Sequence, residues 1–281
     1  MKSLLFIIPL LVLLSLASFA ELKIVAPAEV FQGRCFIVFA ASPEAYKEIH
    51  AYFDGRQYAF FPYEEGKRVI IGCEPEKKTG EYPLRVEALN QDDKLEAVET
   101  VITVSPRLYP KVSFWLKPAK KKLLTPDLIA EEWARIEKVI LVENTEKLWD
   151  GNFLKPVPGI TTMAFGTREY VNRKRSGSHR GWDFRAKIGT PVRAPHAGVV
   201  VFAQNLRAFG GTLVLDHGQG IQTLYFHLSK IIAPVGAKVM QGEVIGKTGN
   251  SGISSGPHLH WGMSVHNVRV DPMQWVETVI P

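Results

Sequence analysis

The chain has 281 residues, and its 34 Lys and Arg outweigh 28 Asp and Glu to give a formal charge of +6. A basic balance of this size favours anionic surroundings such as nucleic acid, lipid or a wall polymer. No nucleic-acid fold signature accompanies it, and beyond the first twenty residues no stretch is long and apolar enough to cross a bilayer, which sets aside nucleic-acid-binding and membrane-spanning proteins.

Residues 1–20, "MKSLLFIIPLLVLLSLASFA", carry Lys2, an apolar run from Leu4 to Leu16, and small residues at Ser18 and Ala20. That pattern predicts a secretory signal peptide cleaved after Ala20, with export to the periplasm or cell envelope and no membrane span afterwards. No cysteine follows the apolar run, which argues against lipoprotein processing. Cys35 and Cys73 are the only cysteines. Export permits a disulfide between them, and closing that loop is worth roughly 4 kcal/mol in the chain-entropy model.

Residues 21–106 alternate apolar and polar positions in short runs such as "RCFIVFAA", "KRVIIGCEP" and "AVETVITVS", punctuated by "DG", "EEGK" and "KKTGE". Several short strands at this spacing predict an immunoglobulin-like β-sandwich. The Cys…Trp…Cys pattern of antibody domains is absent, so the label is architectural.

Residues 107–151 form a linker. Within it, "LTPDLIAEEWARIEKVILVENTEKLW" (124–149) predicts a helix that joins the two β regions. Thr125 is placed to cap, Pro126 suits the first turn, and Leu128, Ile129, Trp133, Ile136 and Ile140 recur at helical spacing. The basic block "KPAKKK" (117–122) reads as a solvated face, as does "REYVNRKRSGSHR" (168–180).

Residues 152–281 return to β patterning, rich in Gly and Pro, with no helix expected. "GTPVRAPHAGVV" and "GAKVMQGEVIGKTG" echo one another as paired hairpins, a feature of flattened antiparallel β-barrels that include lipoyl and biotinyl carriers. A carrier needs a lysine at the hairpin tip, and these tips hold His196 and Gln241. The carrier reading falls.

The chemistry-bearing residues sit on three separate segments of this region. "PHLHW" places His258 and His260 on one strand face, since alternate positions point the same way. "SGSHRGWDFRA" sets His179 and Asp183 an even step apart, with Gly181 between them offering no side chain to obstruct a shared ligand. "TLYFHLSKI" offers Tyr225 and His227 on one face of a further strand. Zinc takes N and O ligands, and catalytic sites use three of them plus water. Two histidines and an aspartate would meet that need and leave two histidines for proton chemistry.

Taken together, "FGTRE", "HRGWD", "GTPVRAPHAGVV", "LDHGQGIQTLYFHLS", "GEVIGKTGNSG" and "GPHLHW" resemble the lysostaphin-type (LytM-like) zinc metalloendopeptidases over residues 155 to 276. The resemblance implies one zinc per chain on His179, Asp183 and His260. It assigns His227 and His258 to catalysis and makes bacterial peptidoglycan the substrate. The implied fold is the flattened antiparallel β-barrel of that family, behind an N-terminal sandwich that the resemblance does not cover. The family also holds members that have lost their ligands and activate other wall hydrolases; every matched position is filled here. The chemistry implied is hydrolysis of an amide by a metal-activated water, with imidazole transferring the proton. His196 and His217 read as turn residues bonded to backbone, Asp216 and Asp271 as turn residues, and Trp261 as core.

Overall fold

The computed structural model describes residues 22–41, 46–142 and 144–281. The expected leader therefore lies outside the described residues. The protein is mainly β.

Two antiparallel-rich sheets open the described chain. One runs Lys23–Val25, Cys35–Ala41, Gly66–Gly72, Phe61–Tyr63; the other runs Glu29–Phe31, Leu95–Ser105, Gly80–Asn90, Tyr46–Phe53, Arg56–Ala59. Alternation explains how they close on one another. Phe36, Val38 and Ala40 point to the shared core with Val69, Ile71, Ile49, Ala51 and Phe53. The first sheet is covered on its other side as well: Ile70 and Cys35 pack with Trp149, Phe153, Met263, Val270 and Trp275 from later in the chain. Burial on both faces is why "RVIIGC" is a continuous apolar run rather than an alternating one. Gly72 permits the close approach, because a Cβ there would stand 2.8 Å from the Val268 Cβ. Trp149, Phe153 and Trp275 meet edge-on at 5.2–5.8 Å, and aromatic side chains buried this way contribute roughly 1.5–3 kcal/mol each.

The expected disulfide is corrected: Cys35 and Cys73 are free and buried. The reason is register. Cys35 pairs with Gly72, so Cys73 is one residue out of step and faces the other side of the sheet. Cys73 lies in the sandwich core and Cys35 in the cluster behind it. Burial pushes the Cys73 thiol up to about 11 and the Cys35 thiol up to about 12, so both stay protonated.

The helix spans Pro126–Ile140 and stops well short of Trp149. Thr125 occupies the N-cap position, but its side chain makes no capping bond. Rather than holding two regions apart, the helix lies on the outer face of the second β region. Ile136 and Ile140 pack there against Phe202, Leu206, Val214, Leu224 and Phe226. Buried Glu132 accepts the backbone N–H groups of Arg207, Ala208 and Phe209 at 2.6, 2.8 and 3.3 Å, fixing the helix to the loop beneath it. Ahead of the helix, Lys111–Phe114 pairs in parallel with Arg168–Val171, so the connecting segment completes a sheet beside the site.

The second β region is built on an antiparallel sheet ordered Ile160–Met163, Trp182–Arg185, His258–Val265, Ile221–Leu228, Gly211–Gly218, Gly198–Asn205, Lys238–Val239, with Val268–Val270 hairpinned onto His258–Val265. Leu213, Leu215, Tyr225, Leu259 and Trp261 from this sheet share a core with Val192 and Ile245 of a smaller three-stranded sheet. A short helix, Met273–Glu277, follows, where none was expected; it carries Trp275 into the junction with the sandwich. Asp271 is more than a turn residue. Its carboxylate accepts from Trp182 Nε1 at 2.7 Å, Arg107 Nη1 at 2.8 Å and the Met273 N–H at 3.0 Å, joining three parts of the chain.

Candidate metal centre and active-site cleft

Strand pairing assembles the site. Trp182–Arg185 lies against His258–Val265 with Asp183 directly opposite His260, and opposite residues on neighbouring strands bring their side chains together. The same register sets Trp182 opposite Trp261 on the other face, where Trp261 is fully buried in the core. His179 follows Lys174–Ser178, with its N–H donating to the Thr167 carbonyl at 2.8 Å and its own carbonyl accepting from Gly166. Gly181 is required here. A Cβ on it would stand 2.6 Å from His260 Nε2.

His179 Nε2 and His260 Nδ1 each lie 3.0 Å from Asp183 Oδ1. All three side chains are buried. Among the described residues these form the one group of three His, Cys, Asp or Glu side chains whose donor atoms converge, all within 4.8 Å of one another. A tetrahedral zinc with bonds of ~2.0–2.2 Å places its ligand atoms roughly 3.3–3.6 Å apart, so the spacing suits such an ion. A second observation concerns orientation. His179 Nε2 is buried and has Asp183 Oδ1 as its near polar neighbour, so this nitrogen faces the space the three groups share. Its other nitrogen, Nδ1, lies 2.9 Å from Glu169 Oε1, the outer partner a ligating imidazole ordinarily has.

The electrostatics point the same way. Burial alone would lower the His179 pKa, but the Asp183 and Glu169 carboxylates outweigh it and raise it to about 10. Burial would raise that of Asp183, yet His179 charge and hydrogen bonds from His179 and His260 hold it well below the usual carboxylate range. The pocket thus stabilises positive charge at the point where the three donors meet. Burial lowers His260 to about 4, which leaves its ring neutral at physiological pH.

His227 and His258 stand beside this trio, their ring centroids 4.9 Å apart. His227 Nδ1 faces the Ser251 carbonyl at 2.8 Å, which places the proton on Nδ1 and leaves Nε2 as an acceptor. Burial, then the neighbouring His258 and His260, push its pKa well below 6.5. His258 Nδ1 faces the Gly256 carbonyl at 2.8 Å, and its Nε2 lies 3.5 Å from Asp183 Oδ2.

One expectation about this face is overturned. Tyr225 and His227 do not share it: Tyr225 is in the core, while Phe226 faces the site and stacks on His260 with centroids 5.1 Å apart. His227 reaches the cleft because its φ is +62°, a left-handed conformation that breaks the strand's alternation. Side chains seldom adopt it, and such strain is concentrated at functional positions.

Four contributors escaped the sequence reading. Glu169 reaches His179 only because Arg168–Val171 pairs with Lys174–Ser178. The Ser251 carbonyl that orients His227 sits in a loop gripped by Lys120, whose Nζ donates to the carbonyls of Asn250 and Gly252 at 2.8 and 2.6 Å. Lys120 belongs to the basic block read as a solvated face, and that reading is corrected for it. Arg269 enters the cleft from the hairpin strand Val268–Val270. The other two histidine readings match the structure: His196 Nε2 lies 2.7 Å from the Asp150 carbonyl, and His217 Nδ1 lies 2.7 Å from that of Ala197.

The trio and the two free imidazoles open into a cleft of about 570 Å³, whose opposite wall includes Phe114, Leu124, Ile129 and Trp133 from the connecting segment. Fold and site together define a mainly β protein with a candidate mononuclear metal centre. Residues 177–272 match the model of Peptidase family M23. The chain is 44% identical over 101 residues to the peptidoglycan DD-endopeptidase ShyA of Vibrio cholerae, covering 36% of this chain and 24% of that protein. It is 41% identical over 95 residues to the DD-carboxypeptidase/endopeptidase Mpg of Neisseria meningitidis, covering 34% and 22%. A crystal structure from Pseudomonas aeruginosa assigned to peptidase M23 aligns over 88% of this chain and 94% of its own, at 27% identity and a TM-score of 0.66. Residues 177–272 thus carry a peptidase M23 domain of the LytM type. The chain matches only about a quarter of the length of those curated relatives.

Proposed function

We propose that the protein is a zinc-dependent endopeptidase of the cell envelope that hydrolyses peptide bonds in the cross-bridges or stem peptides of peptidoglycan. The observation that carries this reading is the convergence of His179 Nε2, Asp183 Oδ1 and His260 Nδ1 on one point, with His179 Nε2 otherwise unpartnered. The names of the family relatives support the substrate class. No helix among the described residues is long and apolar enough to cross a membrane.

His179, Asp183 and His260 would hold the zinc, and Glu169 would orient the first of them. Bound there, zinc supplies Lewis acidity, lowering the pKa of a water toward ~7 and polarising the scissile carbonyl. The protein's own groups do the rest. His227, neutral and with Nε2 free, takes the proton from the attacking water. His258, its Nδ1 committed to the Gly256 carbonyl, presents Nε2 beside Asp183 to stabilise the developing oxyanion or deliver a proton to the leaving amine. Phe114, Leu124, Ile129 and Trp133 of the connecting segment line the same cleft as these groups.

The test is elemental analysis of the purified chain combined with digestion of purified sacculi. About one zinc per chain and release of cross-link-cleaved muropeptides, both abolished in Asp183→Ala, are expected. A zinc-loaded chain that releases nothing, yet stimulates a second wall hydrolase, would replace this reading with that of a non-catalytic activator.

A further inference from the structure

Three arginines line the cleft, and two are matched to acids: Arg180 Nη2 lies 2.8 Å from Glu76 Oε2, and Arg56 lies 3.8 Å from Glu74. Among the described residues Arg269 has no such partner. It is only 8% exposed. Its Nη2 donates to the Arg180 carbonyl at 2.5 Å, its Nε to the Met263 carbonyl at 3.3 Å, and its guanidinium lies 5.3 Å from the centroid of the Trp133 ring. Two carbonyls and a ring contact the guanidinium without neutralising its charge. Burial, and after it the nearby Arg180, lowers its pKa to about 9, which leaves it charged at neutral pH. Buried charges are normally paired, so an unpaired guanidinium facing a cleft calls for an anion.

The sheet register locates that anion. Arg269 pairs with Ser264, which shares a strand face with Gly262 and His260. Its guanidinium leans back over Gly262, where a Cβ would collide with Nη2. Gly262 is one alternation from His260, about 6.5–7 Å along the strand. An extended peptide spans that distance in two residues. The missing side chain at Gly262 is therefore what lets a fixed cation stand two peptide units from the metal centre.

We propose that Arg269 forms a carboxylate-binding subsite, receiving an α-carboxylate or side-chain carboxylate of the substrate within about two residues of the bond that is cut. The inference rests on the hydrolase reading above and adds to it a determinant of specificity. A guanidinium matches a carboxylate with two parallel hydrogen bonds, and Arg supplies that geometry where Lys does not.

The experiment uses the zinc-loaded full chain and soluble cross-linked muropeptides, either native or with carboxyl groups converted to amides. Synthetic peptides amidated at the C-terminus only, or at an acidic side chain only, separate the two carboxylate sources. For the wild type, amidation of the recognised group should raise KM about tenfold or more with little change in kcat, the usual scale for a lost charge-assisted bond. Arg269→Gln should show the raised KM with native substrate and no further response to amidation, with Arg269→Lys between the two. Equal KM for native and amidated substrates in the wild type overturns the subsite, and that comparison needs no variant to fold. Calorimetric binding separates the two readings. Carboxylate-dependent binding without cleavage sinks the hydrolase reading alone, whereas cleavage indifferent to amidation sinks the subsite alone.

Discussion

Strands Gly66–Gly72 and His258–Val265 are both buried almost throughout, one in the sandwich and one beneath the cleft, but they bury different things. The first places Val69 and Ile71 on one side and Ile70 on the other, with Arg68 as its lone buried charge. The second buries Leu259, Trp261, Met263 and Val265 on the core side and turns His258, His260 and Gly262 toward the cleft. Among the described residues, buried polar groups in the sandwich are Arg68 and Asn90; in the second region they include His179, Asp183, His217, Gln222, His227 and Arg269. The sandwich is built for packing, whereas the second region gives up apolar interior to hold charged and imidazole groups in fixed positions. Such departures from a purely apolar interior are expected where chemistry is done.

The sharpest break between the two regions should come from Asp183→Ala. Elemental analysis should show zinc falling to background and sacculus digestion should cease, while the sandwich stays folded by circular dichroism. Retention of a full zinc equivalent would remove Asp183 from the ligand set. Next in size, His227→Ala should keep its zinc and lose about 10² to 10⁴ in turnover, the usual contribution of a general base. Loss of metal in that variant would make His227 a ligand instead.

Phe53→Ala probes the other side of the comparison. It empties a fully buried position in the sandwich core and should cost about 3–5 kcal/mol in denaturant unfolding, leaving the zinc content of the folded chain unchanged. Acid separates the regions more gently. Burial lowers His217 from 6.5 to about 4 in the folded chain, so its neutral form is the one that folding favours. The associated stability is complete above pH 6.5 and is lost as pH falls through about 4, on the order of 3 kcal/mol in all. Hydrogen exchange at pH 7 and at pH 4 should show Gly211–Gly218 and Ile221–Leu228 losing protection, and His217→Gln should flatten that dependence. The smallest effect concerns the cysteines. Added reductant should leave the unfolding midpoint unchanged, because no bridge exists to break; a bridge across that loop would have supplied roughly 4 kcal/mol in the chain-entropy model.

The local parts of the site were legible in the sequence because they depend on a period of two. His258 and His260 share a face and Trp261 takes the other by alternation within one segment, and Gly181 leaves the room that the His260 ring fills. The same rule misplaced His227, since a single left-handed φ reverses the face of everything it governs and nothing in "LYFHL" announces it. It also misjudged the cysteines, for pairing depends on which residue of the partner strand stands opposite, and a one-residue offset sends Cys35 and Cys73 to opposite faces of their sheet. The helix was visible in its apolar spacing, but not where it stops or the sheet face it covers.

What the sequence by itself determined is the β character of both regions, the helix between them, and the five side chains that the fold gathers at one cleft, because each of these is written in residue type and short-range periodicity. Only the tertiary structure decided that Glu169 stands behind His179, that Lys120 clamps the loop orienting His227, and that Arg269 enters the cleft without a counter-charge. Those contacts join residues far apart in the chain. Their distances are set by strand register and loop closure, which depend on the packing of the whole molecule and on no single stretch of it.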